Sequence, residues 1–243
     1  MKPCVVVPHY NSRGAVRGVL ERLSGMGIAV IVVDDGSSAD DLELVRRACA
    51  EHGAELVERD RNGGKGAAVK TGLLAASERG FSHALQVDAD GQHRVEDAPV
   101  FLEAARRDPD ALVLCTPNYG DDVPMGRFVG RQISRIWAWI ETLSFAISDP
   151  LVGFRVYPLE PSVRLVRAGV LGDRMEFDLQ IAVRLRWLGA SVVNVPSRIE
   201  YPEGGVSHFH MLSDNFKLSG AHTRLVLGMM VRLPWIVLRR PVL

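Results

Sequence analysis

Apolar residues in this chain come in short blocks separated by polar turns. Two of the blocks, Cys4-Val5-Val6-Val7 and Ala29-Val30-Ile31-Val32-Val33, are continuous and mostly β-branched, as expected of strands covered on both faces. Helical spacing follows each: Val16, Val19, Leu20 and Leu23, then Leu42, Val45 and Cys49. Leu56-Val57-Glu58, Ala84 to Val87 and Ala111 to Cys115 predict three further strands. They are separated by the alanine-rich helix Ala67 to Ser77 and by a helix opening at Asp97-Ala98-Pro99, with proline in its first turn. Asn11 or Ser12 is expected to cap the first helix, and Asp40 and Asp41 to occupy the first turn of the second. This alternation predicts an α/β domain with a mainly parallel sheet, right-handed crossovers and helices on both faces.

Beyond Thr116 the pattern changes. Gly126 to Arg135 opens a long apolar helix, Ile136 to Ile147, containing Trp137 and Trp139. An amphipathic helix is expected over Leu179 to Leu188 and a late strand over Ser191 to Val195. No uninterrupted apolar run approaches the roughly twenty residues of a membrane-spanning helix. The nearest, Leu225 to Leu238, is broken by Arg232 and Pro234.

Composition narrows the classes. With 243 residues, 47% of them hydrophobic, the chain can bury one large core. Its 29 basic and 29 acidic residues balance, so no global charge calls for nucleic acid and a charged partner must meet a local patch. Cys4, Cys49 and Cys115 are odd in number, far apart and set in apolar segments. They form neither a disulfide framework nor a zinc spacing, and they fit a reducing cytoplasm.

The chemistry gathers where strands end. Asp88 and Asp90 follow the fourth strand in Asp88-Ala89-Asp90-Gly91-Gln92-His93, and their spacing of two puts both on one side of an extended backbone, able to approach one hard cation. A solvated turn is the alternative reading. Asp34-Asp35-Gly36-Ser37 closes the second strand, His9-Tyr10-Asn11 the first, and Asn62-Gly63-Gly64-Lys65-Gly66 follows the third. The three glycines allow close backbone approach, and amides at the next helix start favour an anion such as phosphate. In parallel sheets ligands bind outside these carboxyl ends, so four motifs converge on one crevice.

Together the four motifs resemble the family-2 glycosyltransferases of GT-A fold, over roughly the first 200 residues. Val7-Pro8-His9-Tyr10-Asn11 is similar to the family's opening segment, Val33-Asp34-Asp35-Gly36-Ser37 to its acidic turn, the glycine loop to its Asn-x-Gly-Lys/Arg-Gly, and Asp88-Ala89-Asp90 to its metal-binding pair. The metal loop through His93, with Asp149-Pro150-Leu151-Val152-Gly153-Phe154, most resembles the polyprenyl-phosphate branch typified by dolichol-phosphate-mannose synthases. The resemblance implies a Rossmann-like GT-A domain at 1–210, with a nucleotide-sugar half at 1–116 and an acceptor half at 117–210, followed by a basic amphipathic helical tail at 211–243. It implies Asp88, Asp90 and Gln92 as ligands of Mg²⁺ or Mn²⁺, and Pro8, Tyr10, Asn11, Asp34, Asp35, Lys65 and Asp88 as contacts of a UDP- or GDP-sugar. For a catalytic carboxylate it points to Asp178 first and Glu176 second, with Asp90 acting through the metal. A plain helix N-cap is the alternative for Asp178.

Arg127, Arg131 and Arg135 recur every four residues and share a helix face suited to an anionic acceptor such as a lipid phosphate; a solvated basic face is the rival. The branch has an arginine and a serine here, which adds Ser134 to Arg127 and Arg131. Tyr201 to His210 reads as a closing loop, with His208 or His210 a diphosphate contact. The tail is basic, contains Trp235 and is too short to span, which predicts an interfacial helix on the cytoplasmic membrane face; packing on the domain or a homodimer is the alternative. The expected activity is metal-dependent, inverting sugar transfer to a lipid-linked acceptor. The alternatives are transfer to a soluble hydroxyl with Asp178 as base, a nucleotidyltransferase, and a non-catalytic binding module.

Overall fold

The computed structural model describes residues 1–12, 14–119, 125–199 and 211–238. Strands β1 (Pro3–His9), β2 (Ala29–Asp34), β3 (Glu55–Glu58), β4 (His83–Gln86), β5 (Leu112–Tyr119), β6 (Arg155–Pro158) and β7 (Val192–Ile199) form one sheet in the order β3-β2-β1-β4-β6-β5-β7. Pairing is parallel throughout except at β6, which runs antiparallel to both β4 and β5. That reversed strand is absent from the sequence expectation. Its four residues, Arg-Val-Tyr-Pro, are all buried, so it shows no alternation, and it carries an arginine that only tertiary partners make tolerable.

Side chains alternate across the sheet and divide the core in two. Val5, Val7, Val30 and Val32 pack with α1 (Ala15–Ser24), α2 (Ala39–His52) and α4 (Ala98–Arg107). Cys4, Val6, Ile31 and Val33 face α3 (Lys65–Glu78), α6 (Leu159–Arg167) and α7 (Glu176–Trp187), with Ala138 of α5 (Met125–Thr142) and Ala221 and Leu225 of α8 (Met211–Leu238) completing the layer. All three cysteines are buried and free. Burial pushes the Cys4 and Cys115 thiols up to about 12 and Cys49 to about 11.

Several boundaries differ from the sequence expectation. The N-cap of α1 is Gly14, at φ 83, while Asn11 serves the preceding loop and the Ser12 hydroxyl accepts from Val16 N, in the first turn of α1, at 3.4 Å. Helix α5 stops at Thr142, five residues before the expected end, and Leu143 takes a positive φ of 49. Helix α7 begins at Glu176, which puts Asp178 inside the first turn and not at the N-cap. It is buried nearly all round from Phe177 to Val183, so it is a core helix and not an amphipathic one.

The tail expectation also changes. Helix α8 has 28 residues, and its Lys217–Leu238 stretch of 22 is long and apolar enough to cross a membrane by length and composition. Arg232 and Pro234 interrupt the apolar run without ending the helix: the Arg232 guanidinium lies 5.2 Å from the centre of the Trp187 ring. One side of α8 rests on α5 and α7.

Gly72 shows how tightly the layers fit. A Cβ there would lie 2.3 Å from Val6 Cγ1. Gly72→Ala is therefore expected to destabilise the domain by about 1–3 kcal/mol through overpacking, despite the better helix propensity of alanine; urea unfolding will measure it.

Candidate active site

The loops after β1, β2 and β3 are bound to one another by their own polar groups. His9 Nδ1 lies 2.8 Å from Asp34 Oδ1, and His9 Nε2 3.1 Å from Asp41 Oδ2 on α2. Ser37 N donates to Asp34 Oδ2 at 3.0 Å, Asn11 N to Ser37 Oγ at 3.0 Å, and Ser38 N to Asn11 Oδ1 at 2.9 Å. Burial opposes ionisation of Asp34, but the bonds from His9 and Ser37 prevail and hold its carboxyl below the usual range. Pro8 is buried beneath this turn, and Tyr10 is 36% exposed at its rim.

Asp35 explains the glycine loop. The Gly63 and Gly64 amides donate to its carboxylate at 3.1 and 2.6 Å, and Arg59 pairs with it. The anion that the sequence placed at these amides is the protein's own carboxylate. The glycines permit other close approaches too. A Cβ on Gly36, at φ 72, would lie 2.6 Å from the Arg61 carbonyl carbon, and one on Gly66 would lie 2.5 Å from Phe177 Cβ. These turns are packed against neighbouring protein, and they thereby fix where α3 begins.

Lys65, the first residue of α3, projects between two carboxylates. Its Nζ is 2.9 Å from Asp88 Oδ2 and 3.0 Å from Asp178 Oδ2. Burial would depress the ammonium's pKa, but the charges of Asp178 and Asp88 outweigh that and raise it. Burial likewise opposes ionisation of Asp88, and Lys65 and His93 outweigh it, keeping the carboxylate charged. Asp90 is pushed the other way, upward, by burial and then by the neighbouring Asp88 charge; Gln92 N donates to its Oδ1 at 3.1 Å.

A second layer orients Asp88. Tyr157 Oη donates to Gln86 Oε1 at 2.7 Å, and Gln86 Nε2 donates to Asp88 Oδ1 at 3.0 Å. His93 Nε2 lies 3.4 Å from Asp88 Oδ2, its ring stacked on Phe154. Gly153 leaves the room for this: a Cβ there would lie 2.4 Å from Asp88 Oδ2. Arg155, fully buried, donates to the Val152, Pro150 and Asp178 carbonyls, and its Nη2 is 3.9 Å from Asp178 Oδ1. Sequence reasoning missed Gln86, Tyr157 and Arg155. The signal available for Gln86 was a polar residue inside an apolar strand; β6 offered none.

Two carboxylates and an amide are the right chemistry for a hard cation, and Gly153 lets the Asp88 carboxylate take its place in that set. Among the described residues no three His, Cys, Asp or Glu side chains gather into a metal cage. Glu176 turns away from this centre: a Cβ on Gly172 would lie 2.3 Å from its Oε1, which accepts from Arg174 N at 3.4 Å.

The residues expected to meet an acceptor are placed differently from one another. Arg131 Nη1 pairs with Asp149 Oδ2 at 2.9 Å, Arg135 lies 5.0 Å from the Trp139 ring centre, and Ser134 is buried. The Arg127 side chain, His208 and His210 lie outside the described residues.

A sequence profile described as glycosyl transferase family 2 matches residues 4–171. The chain belongs to that family. It is a glycosyltransferase, and its sheet, reversed strand included, is the GT-A fold. It is 28% identical to the polyprenol monophosphomannose synthase of Mycolicibacterium smegmatis, over 90% of this chain and 82% of that one. It is 27% identical to the undecaprenyl-phosphate mannosyltransferase of Micrococcus luteus, over 81% and 82% respectively. Among solved structures it resembles glucosyl-3-phosphoglycerate synthase from Mycobacterium tuberculosis in complex with Mn²⁺, UDP and glucosyl-3-phosphoglycerate. The TM-score is 0.64 at 18% identity, covering 95% of this chain and 78% of that one.

Gly153→Ala in this transferase is expected to fold but to push Asp88 aside. A displacement of that size next to reacting groups costs about 10²-fold in turnover; nucleotide release from the cognate sugar donor, compared with a circular-dichroism check of folding, will show it.

Proposed function

We propose that this enzyme moves a sugar from a nucleotide-sugar donor to a lipid-linked acceptor, a polyprenyl phosphate, by metal-dependent single displacement with inversion. The observation that carries the reading is the convergence of Asp88, Asp90, Lys65 and Asp178 at the carboxyl ends of the strands. The names of the mannosyltransferase relatives support the acceptor, and the Mn²⁺ and UDP in the glucosyl-3-phosphoglycerate synthase complex support a divalent cation and a nucleotide donor.

In this reading Asp88, Asp90 and Gln92 hold Mg²⁺ or Mn²⁺, which supplies charge neutralisation for a departing nucleoside diphosphate. Pro8, Tyr10, Asn11, Asp34 and Asp35 shape the nucleoside pocket. The tight bonding of Asp34 and Asp35 within the protein gives them a positioning part, leaving Tyr10 and Asn11 to meet the ligand. An acceptor phosphate oxygen attacks the anomeric carbon as the bond to the nucleotide breaks. A phosphate needs no deprotonation, so Asp178 serves there to hold Lys65; with a hydroxyl acceptor Asp178 would take the proton. Arg131, with Arg127 and Ser134 on the same helix, supplies the polar side of the acceptor path.

The acceptor's lipid nature also fits the molecular surface. Ile133, Ile136, Ile140 and Phe145 at α5, and Met230, Val231, Trp235 and Leu238 on α8, are exposed. The only acid of α5 is the buried Glu141, and 217–238 has none. An apolar, basic, Trp-bearing surface of this kind suits the head-group region of an anionic cytoplasmic membrane face.

Two measurements test these readings. With Mn²⁺, a panel of UDP- and GDP-sugars and polyprenyl phosphate, Asp90→Ala is expected to lower nucleotide release by about 10²-fold or more, and undiminished release would sink the metal role. Asp178→Asn separates the acceptors: a fall of about 10²–10⁴-fold marks a base acting on a hydroxyl, whereas a much smaller fall fits a phosphate acceptor. For the surface, Trp235→Ser with Val231→Ser is expected to weaken flotation with phosphatidylglycerol vesicles while leaving the melting temperature near wild type. Equal flotation would refute a membrane-facing α8.

A further inference from the structure

Lys65 sits where a second cation would have to be accommodated. Asp88 Oδ2 is already within 2.9 Å of the Lys65 ammonium, and the same ammonium is 3.0 Å from Asp178. The backbone beneath it is fixed: Gly64 N is bonded to Asp35 at 2.6 Å, and Ala67 N to Asp173 O at 2.8 Å. Its side chain is 19% exposed toward solvent and has four rotatable bonds, so it can swing from a fixed root. Asp88 by contrast is tied by Gln86 and fitted against Gly153. A divalent ion at Asp88 and an ammonium on the same carboxylate would be like charges a few ångströms apart.

We infer that Lys65 is a resident counter-cation that competes with a divalent metal for Asp88 in the nucleotide-free enzyme and leaves that carboxylate for the donor's diphosphate, so that metal and nucleotide bind together. The inference rests on the proposed metal role of Asp88 and Asp90. A diphosphate offers the ammonium charge-assisted hydrogen bonds of the same kind as those it gives up to Asp88 and Asp178, and it carries more than one negative charge. As Lys65 transfers to it, Asp88 becomes available to the metal, and the only groups that have changed partners are the ammonium and the two carboxylates. No bond in the chain is made or broken. Asp178 is released in the same motion, so one side chain would couple donor arrival to the readiness of the acceptor side.

Competition of this kind is visible without turnover. Mn²⁺ is titrated into the full-length protein and free Mn²⁺ is read by electron paramagnetic resonance, first alone and then with UDP or, separately, GDP. Wild type is expected to bind Mn²⁺ weakly alone and at least roughly tenfold more tightly with the cognate diphosphate; Lys65→Met is expected to bind Mn²⁺ alone roughly tenfold more tightly than wild type and to lose most of the nucleotide-linked gain. Lys65→Arg should keep the coupling. If leaving Asp88 and Asp178 unpaired makes Lys65→Met less stable, the rise of its Tm with Mn²⁺ alone provides the second readout, and it should exceed that of wild type. Equal or weaker Mn²⁺ binding by Lys65→Met, in a protein whose wild type does show nucleotide-linked binding, overturns the competition and leaves the metal site intact. Mn²⁺ binding that is undiminished in Asp90→Ala, or absent from wild type even with both diphosphates, overturns the metal site itself and the inference with it.

Discussion

A buried carboxylate, Asp178, and a half-buried one, Asp88, share one ammonium at the centre of this molecule, and much of the local architecture serves to keep the three groups together. Asp88 leaves β4, Lys65 opens α3 and Asp178 lies in the first turn of α7. Each comes from a different part of the chain. Charges so far from water are costly unless paired and hydrogen-bonded, so the surroundings must place them accurately. Arg155 supports the Asp178 side with bonds to three carbonyls, and the Tyr157–Gln86 pair supports the Asp88 side. The reversed strand β6 supplies both Arg155 and Tyr157, which is why a short antiparallel insertion sits in the middle of a parallel sheet.

The donor side obeys the same economy of charge. Asp34 and Asp35 are nearly inaccessible and are fully used by His9, Ser37, Arg59 and the glycine amides. They knit three strand-end loops into one rim. The glycine loop thus behaves as a receptor for Asp35: it fixes α3, and α3 carries Lys65.

The far side of the molecule is built on a different principle. Helices α5 and α8 cover the core with one face and leave apolar side chains exposed on the other. Between them Glu141 and His222 form a buried pair at 2.6 Å, with burial raising the Glu141 pKa against the effect of His222. This pair ties α8 to the helix that bears Arg131, so α8 packs as part of the domain and not as an appendage to it.

The linear pattern determined a good deal. Continuous β-branched runs identified β1 and β2, and short apolar runs β4 and β5, because strands buried on both faces cannot hide their composition; acidic or glycine-rich turns follow them. The doublet Asp88 and Asp90 was legible from its place after an apolar strand, but the extended backbone expected beneath it is not there: β4 ends at Gln86 and Asp90 lies in a turn. What remained illegible was decided by contacts between distant residues. The four buried residues of β6 include an arginine, whose acceptors lie in the preceding turn and in α7. Lys65 reads as a loop cation until Asp178, 113 positions later, is brought to 3.0 Å of it. Helix α8 looked broken because a charge and a proline interrupt its apolar run, and the Trp187 ring and the Gly228 carbonyl account for Arg232. Local spacing fixes which residues can reach a crevice; which charges neutralise one another there is settled by folding, since pairing depends on distance in space and burial makes an unpaired charge too costly to keep.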